Sequence, residues 1–200
     1  MKWPLRSTLR WFPLLLCLLL LALFLTACGF WGNTGNTSAN TIPTAAPLHV
    51  TTYTGDGYSI DYPQNWTAKK NGNVVVFSDP PGLSTLIVEY ASNPGGELSA
   101  SSAVDGGLSG FQGEAKNYQK VTIAPTTSVG GENWSQGAAT GLAAYKGQDL
   151  GMKFVVLADS HQAHSPSAKT FVIIYGTDNT VFDAASQAIF QPMLQSFKFH

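Results

Sequence analysis

Residues able to do chemistry are few in this chain, and their spacing decides what they could do. Ser109 lies in Gly107-Leu108-Ser109-Gly110-Phe111, which approaches the nucleophile elbow that exposes a serine for attack on an acyl carbon. The elbow needs glycine two residues after the serine, where Phe111 stands, and a strand before it, where the pattern here is helical. His161 and His164 make a histidine pair with Asp159 close in sequence. Zinc asks for three or four N, S or O donors. The pair falls in a Ser/Pro-containing loop predicted for residues 159–168, so a solvated loop without metal is expected. The 12 acidic residues are dispersed without the Asp-x-Asx-x-Asx-Gly spacing of a calcium loop, and no glycine loop cradles a phosphate. Trp66, Trp134, Tyr53, Tyr90 and Tyr145 either form an aromatic platform or pack on a sheet, since large aromatics dominate cores. Packing favours the core for Trp66 and, less strongly, for Trp134. If any aromatic faces a ligand, the candidates are Trp134 and Tyr145. The expectation is no catalytic residue, no metal and no cofactor.

The clearest chemistry sits earlier, at Cys28. Lys2, Arg6 and Arg10 form a basic head, Trp11 to Leu25 is apolar apart from Pro13, and Leu25-Thr26-Ala27-Cys28 follows. A short positive region, an apolar core and small residues before a cut describe a secretory signal. The apolar run is shorter than the roughly 20 residues of a comfortable membrane span. The tetrapeptide resembles the lipobox of bacterial lipoproteins. That resemblance implies cleavage between Ala27 and Cys28, a diacylglycerol thioether on Cys28 and acylation of the new amine. Two or more acyl chains anchor stably where one does not, at about 0.8 kcal/mol per buried methylene. The alternative is an ordinary secretory signal, or an uncleaved anchor helix, with a chance cysteine. The expected location is the extracytoplasmic side of the plasma membrane, or an outer membrane if the cell has one.

Processing changes what the chain can bind and how it is held together. Of 11 basic residues, three precede Cys28, leaving 8 lysines, no arginine and 12 acids, a formal charge of −4. A nucleic-acid reader wants a basic face and bidentate arginines, so that class is set aside. Cys17 leaves with the signal and Cys28 takes lipid, so no disulfide forms and packing alone must stabilise the domain.

Three segments follow: a signal over 1–27, a tether over 28–52 and a globular domain over 53–200. The tether is rich in Gly, Asn, Thr, Ser and Pro, too polar to offset its ordering entropy, with a reach of about 25–30 Å. In the domain, Tyr58, Ile60 and Tyr62 alternate as one face of a strand, and a strand from Trp66 to Lys70 turns at Asn71-Gly72 into Val74-Val75-Val76-Phe77. Leu83 to Tyr90 is a fourth strand, and Val104, Leu108 and Phe111 mark a helix over 97–112. Gly106, Gly107 and Gly110 each weaken that helix by up to about 1 kcal/mol. Strands are predicted over 118–124 and 133–145, the latter entered at Gly130-Gly131. Phe154-Val155-Val156-Leu157 and Phe171-Val172-Ile173-Ile174-Tyr175 are apolar on both faces, as central strands are. A second helix over 180–195, restarted at Pro192, and an edge strand at Ser196 to Phe199 close the chain. Short turns and few helices predict an α+β fold, with a largely antiparallel sheet flanked by helices.

Gly57-Tyr58-Ser59-Ile60-Asp61-Tyr62-Pro63-Gln64-Asn65-Trp66, the element order after it and the ending Phe190 to Phe199 resemble PsbP-like domains over residues 53–200. The resemblance implies an α/β/α sandwich and a non-enzymatic, partner-binding accessory role. The leading expectation is therefore a lipid-anchored lipoprotein that binds a protein partner or assists assembly outside the membrane. A lipoprotein binding a glycan or apolar molecule is the alternative, and a hydrolase using Ser109 or His161 and His164 comes last.

Overall fold

The computed structural model describes residues 49–200. The signal over 1–27, the Ala27–Cys28 junction with its lipidation residue, and the tether as far as residue 48 lie outside the described residues. Residues 50–52, assigned above to the tether, belong instead to the first strand. Thr and Tyr in Val50–Thr54 (β1) suit an extended backbone, and Tyr53 pairs with Ile60 of Tyr58–Pro63 (β2).

Beyond this hairpin, two hairpin units build the large sheet. Thr67–Asn71 (β3) and Val74–Ser78 (β4) turn at Gly72, whose φ of +60° suits glycine, and Thr85–Ser92 (β5) lies against β4. Lys116–Val121 (β6), Thr126–Val129 (β7) and the 14-residue strands Glu132–Tyr145 (β8) and Gln148–His161 (β9) follow, then Lys169–Asp178 (β10). The order is β3-β4-β5-β10-β9-β8-β6, with β7 also pairing β8, and every pairing is antiparallel. The apolar runs at 154–157 and 171–175 occupy the central β9 and β10, as their two-faced hydrophobicity predicts. A second sheet, β1-β2-β11, is closed by Lys198–Phe199 (β11), whose Phe199 pairs with Tyr58.

Helices cover both faces of the large sheet, so the molecule is an α+β sandwich. Ala100–Glu114 (α1) begins where the Ser99 side chain accepts a hydrogen bond from Ser102 N at 3.1 Å, satisfying one of the free amides of the first turn. It lays Ala103, Val104 and Leu108 on Ala139, Val156 and Ala158. The other face carries Tyr58, Phe77, Trp134, Leu157, Phe171 and Ile173, covered by the small sheet and a terminal helical segment. That segment is Phe182–Ala185 (α2), a π-helical turn over Ser186–Phe190 and Gln191–Ser196 (α3), with Pro192 in the opening turn of α3. The π-helical turn runs straight into α3, so Pro192, which has no N–H, interrupts the helical ladder at that junction. None of the described helices is long and apolar enough to cross a membrane.

Candidate functional site

The registers of the three longest strands assemble a polar cluster at one end of the large sheet. The backbone ladder between β8 and β9 stops at Ser135↔Ala158. Carrying the same register onward sets Trp134 against Asp159 and Glu132 against His161, and side-chain contact replaces backbone pairing there. His161 Nδ1 lies 2.8 Å from Glu132 Oε1, an N–H donating to a carboxylate. Glu132, Asp159 and His161 each offer a ligand atom within 4.8 Å of the others. Side chains alternate along a strand, so these three share the face of Trp134 and Phe171.

An aromatic floor fixes the cluster. The His161 ring lies nearly parallel to Phe199 at a centroid distance of 3.8 Å and meets Phe171 edge-on at 6.3 Å. Trp134 also lies parallel to Phe199, at 6.1 Å. With its side chain only 18% exposed, His161 is held by β9 below, Phe199 beside it and Glu132 at Nδ1. Lys169, paired with His161 across β10, is the nearest cation by register. It is already engaged: Nζ lies 2.9 Å from Asp56 Oδ2 and 4.7 Å from the centroid of the Tyr90 ring.

The electrostatics leave this corner short of positive charge. Burial, with Glu132 as a second carboxylate beside it, pushes the Asp159 carboxyl up to about 7. Asp159 Oδ2 and Trp134 Nε1 are both shut off from solvent, and neither has a hydrogen-bond partner. An orphaned buried donor or acceptor costs about 1–3 kcal/mol, so two on facing residues are not neutral structure. Chemically, one imidazole and two carboxylates can share a proton or hold a cation. No nucleophile stands among them.

The structure rearranges the residues singled out from the sequence. The histidine pair separates: β9 runs on through residues predicted as loop, so Asp159 and His161 are strand residues, whereas His164 is exposed in the turn beyond. The donor that His161 needed was Glu132, 29 residues earlier, and only the β8–β9 register reveals it. The signal was present in outline, since Gly130-Gly131 starts β8 and the strand then runs 14 residues before turning. Ser109 is exposed on α1, on the opposite face of the sheet from His161, so the two never meet.

The aromatic platform does not form. Trp134 has no exposed surface and packs edge-on to Phe197 at 5.5 Å, because its strand position points into the core. Tyr145 lies 11 residues along the same strand, about 35 Å away and on the opposite face by alternation. Its hydroxyl donates to Pro81 O. Trp66 is buried against Phe190, in the core as assigned.

No protein-family model and no curated protein sequence matches the chain. Among solved structures, it is similar to LpqN of Mycobacterium tuberculosis, described as involved in cell envelope biogenesis, at 12% identity and a TM-score of 0.46, over 76% of this chain and 91% of that one. The Ran-binding protein Mog1p of Saccharomyces cerevisiae shares 11% identity over 76% of this chain and 96% of its own, with a TM-score of 0.47. A Pseudomonas aeruginosa protein described as being of unknown function shares 14% identity over 73% of this chain and 94% of its own, with a TM-score of 0.41. Likeness at this level assigns no family and transfers no partner.

Proposed function

We propose that this protein is a bacterial lipoprotein, held outside the membrane by lipid on Cys28, whose PsbP-like domain binds a protein partner or assists assembly without catalysing a reaction. The observation that carries this reading is Leu25-Thr26-Ala27-Cys28 directly after a basic head and an apolar core. A tether through residue 48 then gives the domain reach, and a disulfide-free core of large aromatics gives it stability. The separation of Ser109 from His161 supports a binding role over hydrolysis. The burial of Trp134 removes the aromatic surface on which a glycan-binding reading stood.

Mass spectrometry of protein purified from the producing cell tests the anchor. A mature amino terminus at Cys28 carrying diacylglycerol is expected, and Cys28→Ala should release the domain from the membrane fraction. An unmodified thiol, or a terminus elsewhere, overturns the anchor. Crosslinking in intact cells tests the role: a reproducible partner captured by the lipidated form, and weakly or not at all by the released form, is expected. Absence of any partner in both samples counts against the accessory role.

A further inference from the structure

We propose that Glu132, Asp159 and His161 form a binding site for a divalent transition-metal ion, zinc above all, with one coordination position open. The proposal does not depend on the lipid anchor. Three donors converge from two strands, and their ligand atoms lie between 2.8 Å and at most 4.8 Å from one another. Donors about 2.0–2.1 Å from a tetrahedral zinc stand about 3.3 Å apart, so the trio brackets that spacing and small side-chain movements would admit the ion. One imidazole and two carboxylates with no thiolate suit zinc or manganese; calcium prefers six to eight oxygens.

A second observation points to a missing ligand. Asp159 Oδ2 is sealed from solvent, and the charged group acting on this carboxyl is a second carboxylate, Glu132, rather than a cation. The neighbouring cation cannot serve, because Lys169 Nζ is committed to Asp56. On the residue facing Asp159, the fully buried Trp134 has an indole N–H that is unpartnered. By register that residue shares the sheet face of the three ligands. A solvated acid cluster would leave neither atom stranded. Phe199, stacked on His161, fixes the imidazole plane in advance and shields one side of the site.

The test uses the full-length chain, purified in detergent and stripped with a chelator, titrated calorimetrically with Zn2+ alone. One saturable site is expected, and X-ray absorption should show a first shell of nitrogen and oxygen only. Glu132→Gln, Asp159→Asn and His161→Gln should each weaken binding by at least about tenfold, whereas His164→Gln should leave it unchanged. Near-ultraviolet circular dichroism without metal checks each fold; Glu132→Gln, altering the most exposed of the three ligands, carries the test if His161→Gln disturbs the Phe199 stack. Absence of saturable binding, undiminished affinity in Glu132→Gln, equal loss in His164→Gln, or displacement of zinc by Ca2+ would each overturn the assignment.

Discussion

The two faces of the large sheet are packed by opposite means. One is filled with large rings drawn from distant parts of the chain: Tyr58, Phe77, Trp134, Phe171, Phe190 and Phe197. The other is nearly smooth. Ala139, Val156 and Ala158 receive α1, and glycines let the helix come close, since a Cβ on Gly107 would stand 2.9 Å from Val156 Cγ1 and one on Gly137 2.8 Å from Leu108 Cδ1. Bulk holds the first face and close approach the second. The only described group of three potential metal ligands sits on the first, where interlocked rings hold polar side chains that a smooth face would leave to solvent.

Four substitutions break or sharpen this contrast. Phe197→Ala should have the largest effect, about 3–5 kcal/mol lost in denaturant unfolding, because its unexposed ring touches Tyr58, Trp134, Phe171 and Phe199. A loss below 1 kcal/mol would show that the aromatic face repacks freely. Gly137→Val should cost about 1–3 kcal/mol by pushing α1 off the sheet, the penalty of overpacking a close contact. Gly106→Ala, one residue before the constrained Gly107 and with nothing within 4 Å of its added Cβ, should instead raise stability by about 0.4–1 kcal/mol. Opposite signs for the two glycines would establish that the helix face is limited by approach rather than by helix propensity.

Glu89→Gln should give the smallest effect, and it should appear only as pH rises. Glu89 lies on the helix side of β5 opposite Val172, and burial raises its carboxyl above the ordinary value. Below the unfolded value both states hold the proton, and the residue neither helps nor hurts. Above it the unfolded chain ionises first, so stability falls as pH rises through the folded value. The glutamine form should therefore be more stable at pH 7, by about 0.5 kcal/mol, with no difference at pH 3. Paired thermal unfolding at the two pH values decides it.

Much of the fold was legible because local patterns settle it. Alternation at Tyr58, Ile60 and Tyr62, the turn at Gly72 and the two-faced apolar runs all say where strands lie and which are central. The helix over 97–112 appears at 100–114, displaced to the Ser99 cap. What local pattern missed depended on pairing. Residues 159–161 look like a polar loop because Asp, Ser and His are poor strand formers, yet β10 holds them in the ladder through Asp159↔Phe171 and Lys169↔His161. Glu132 is invisible as a ligand until β8 and β9 are set in register. The glycines of α1 read as weaknesses of a helix, and only the sheet beneath shows that Gly107 is a contact surface.

The shortest strand carries a consequence for how the domain is made. β11 is two residues long and pairs with β2, which lies near the other end of the folded unit. Phe197 and Phe199 complete the ring-filled layer, so that layer stays open at its centre until they arrive. Contacts this distant along the chain are slow to form. A chain whose residues 197–199 have not yet reached β2 would thus keep its aromatic layer unfilled, and the domain would lock shut only when they arrive.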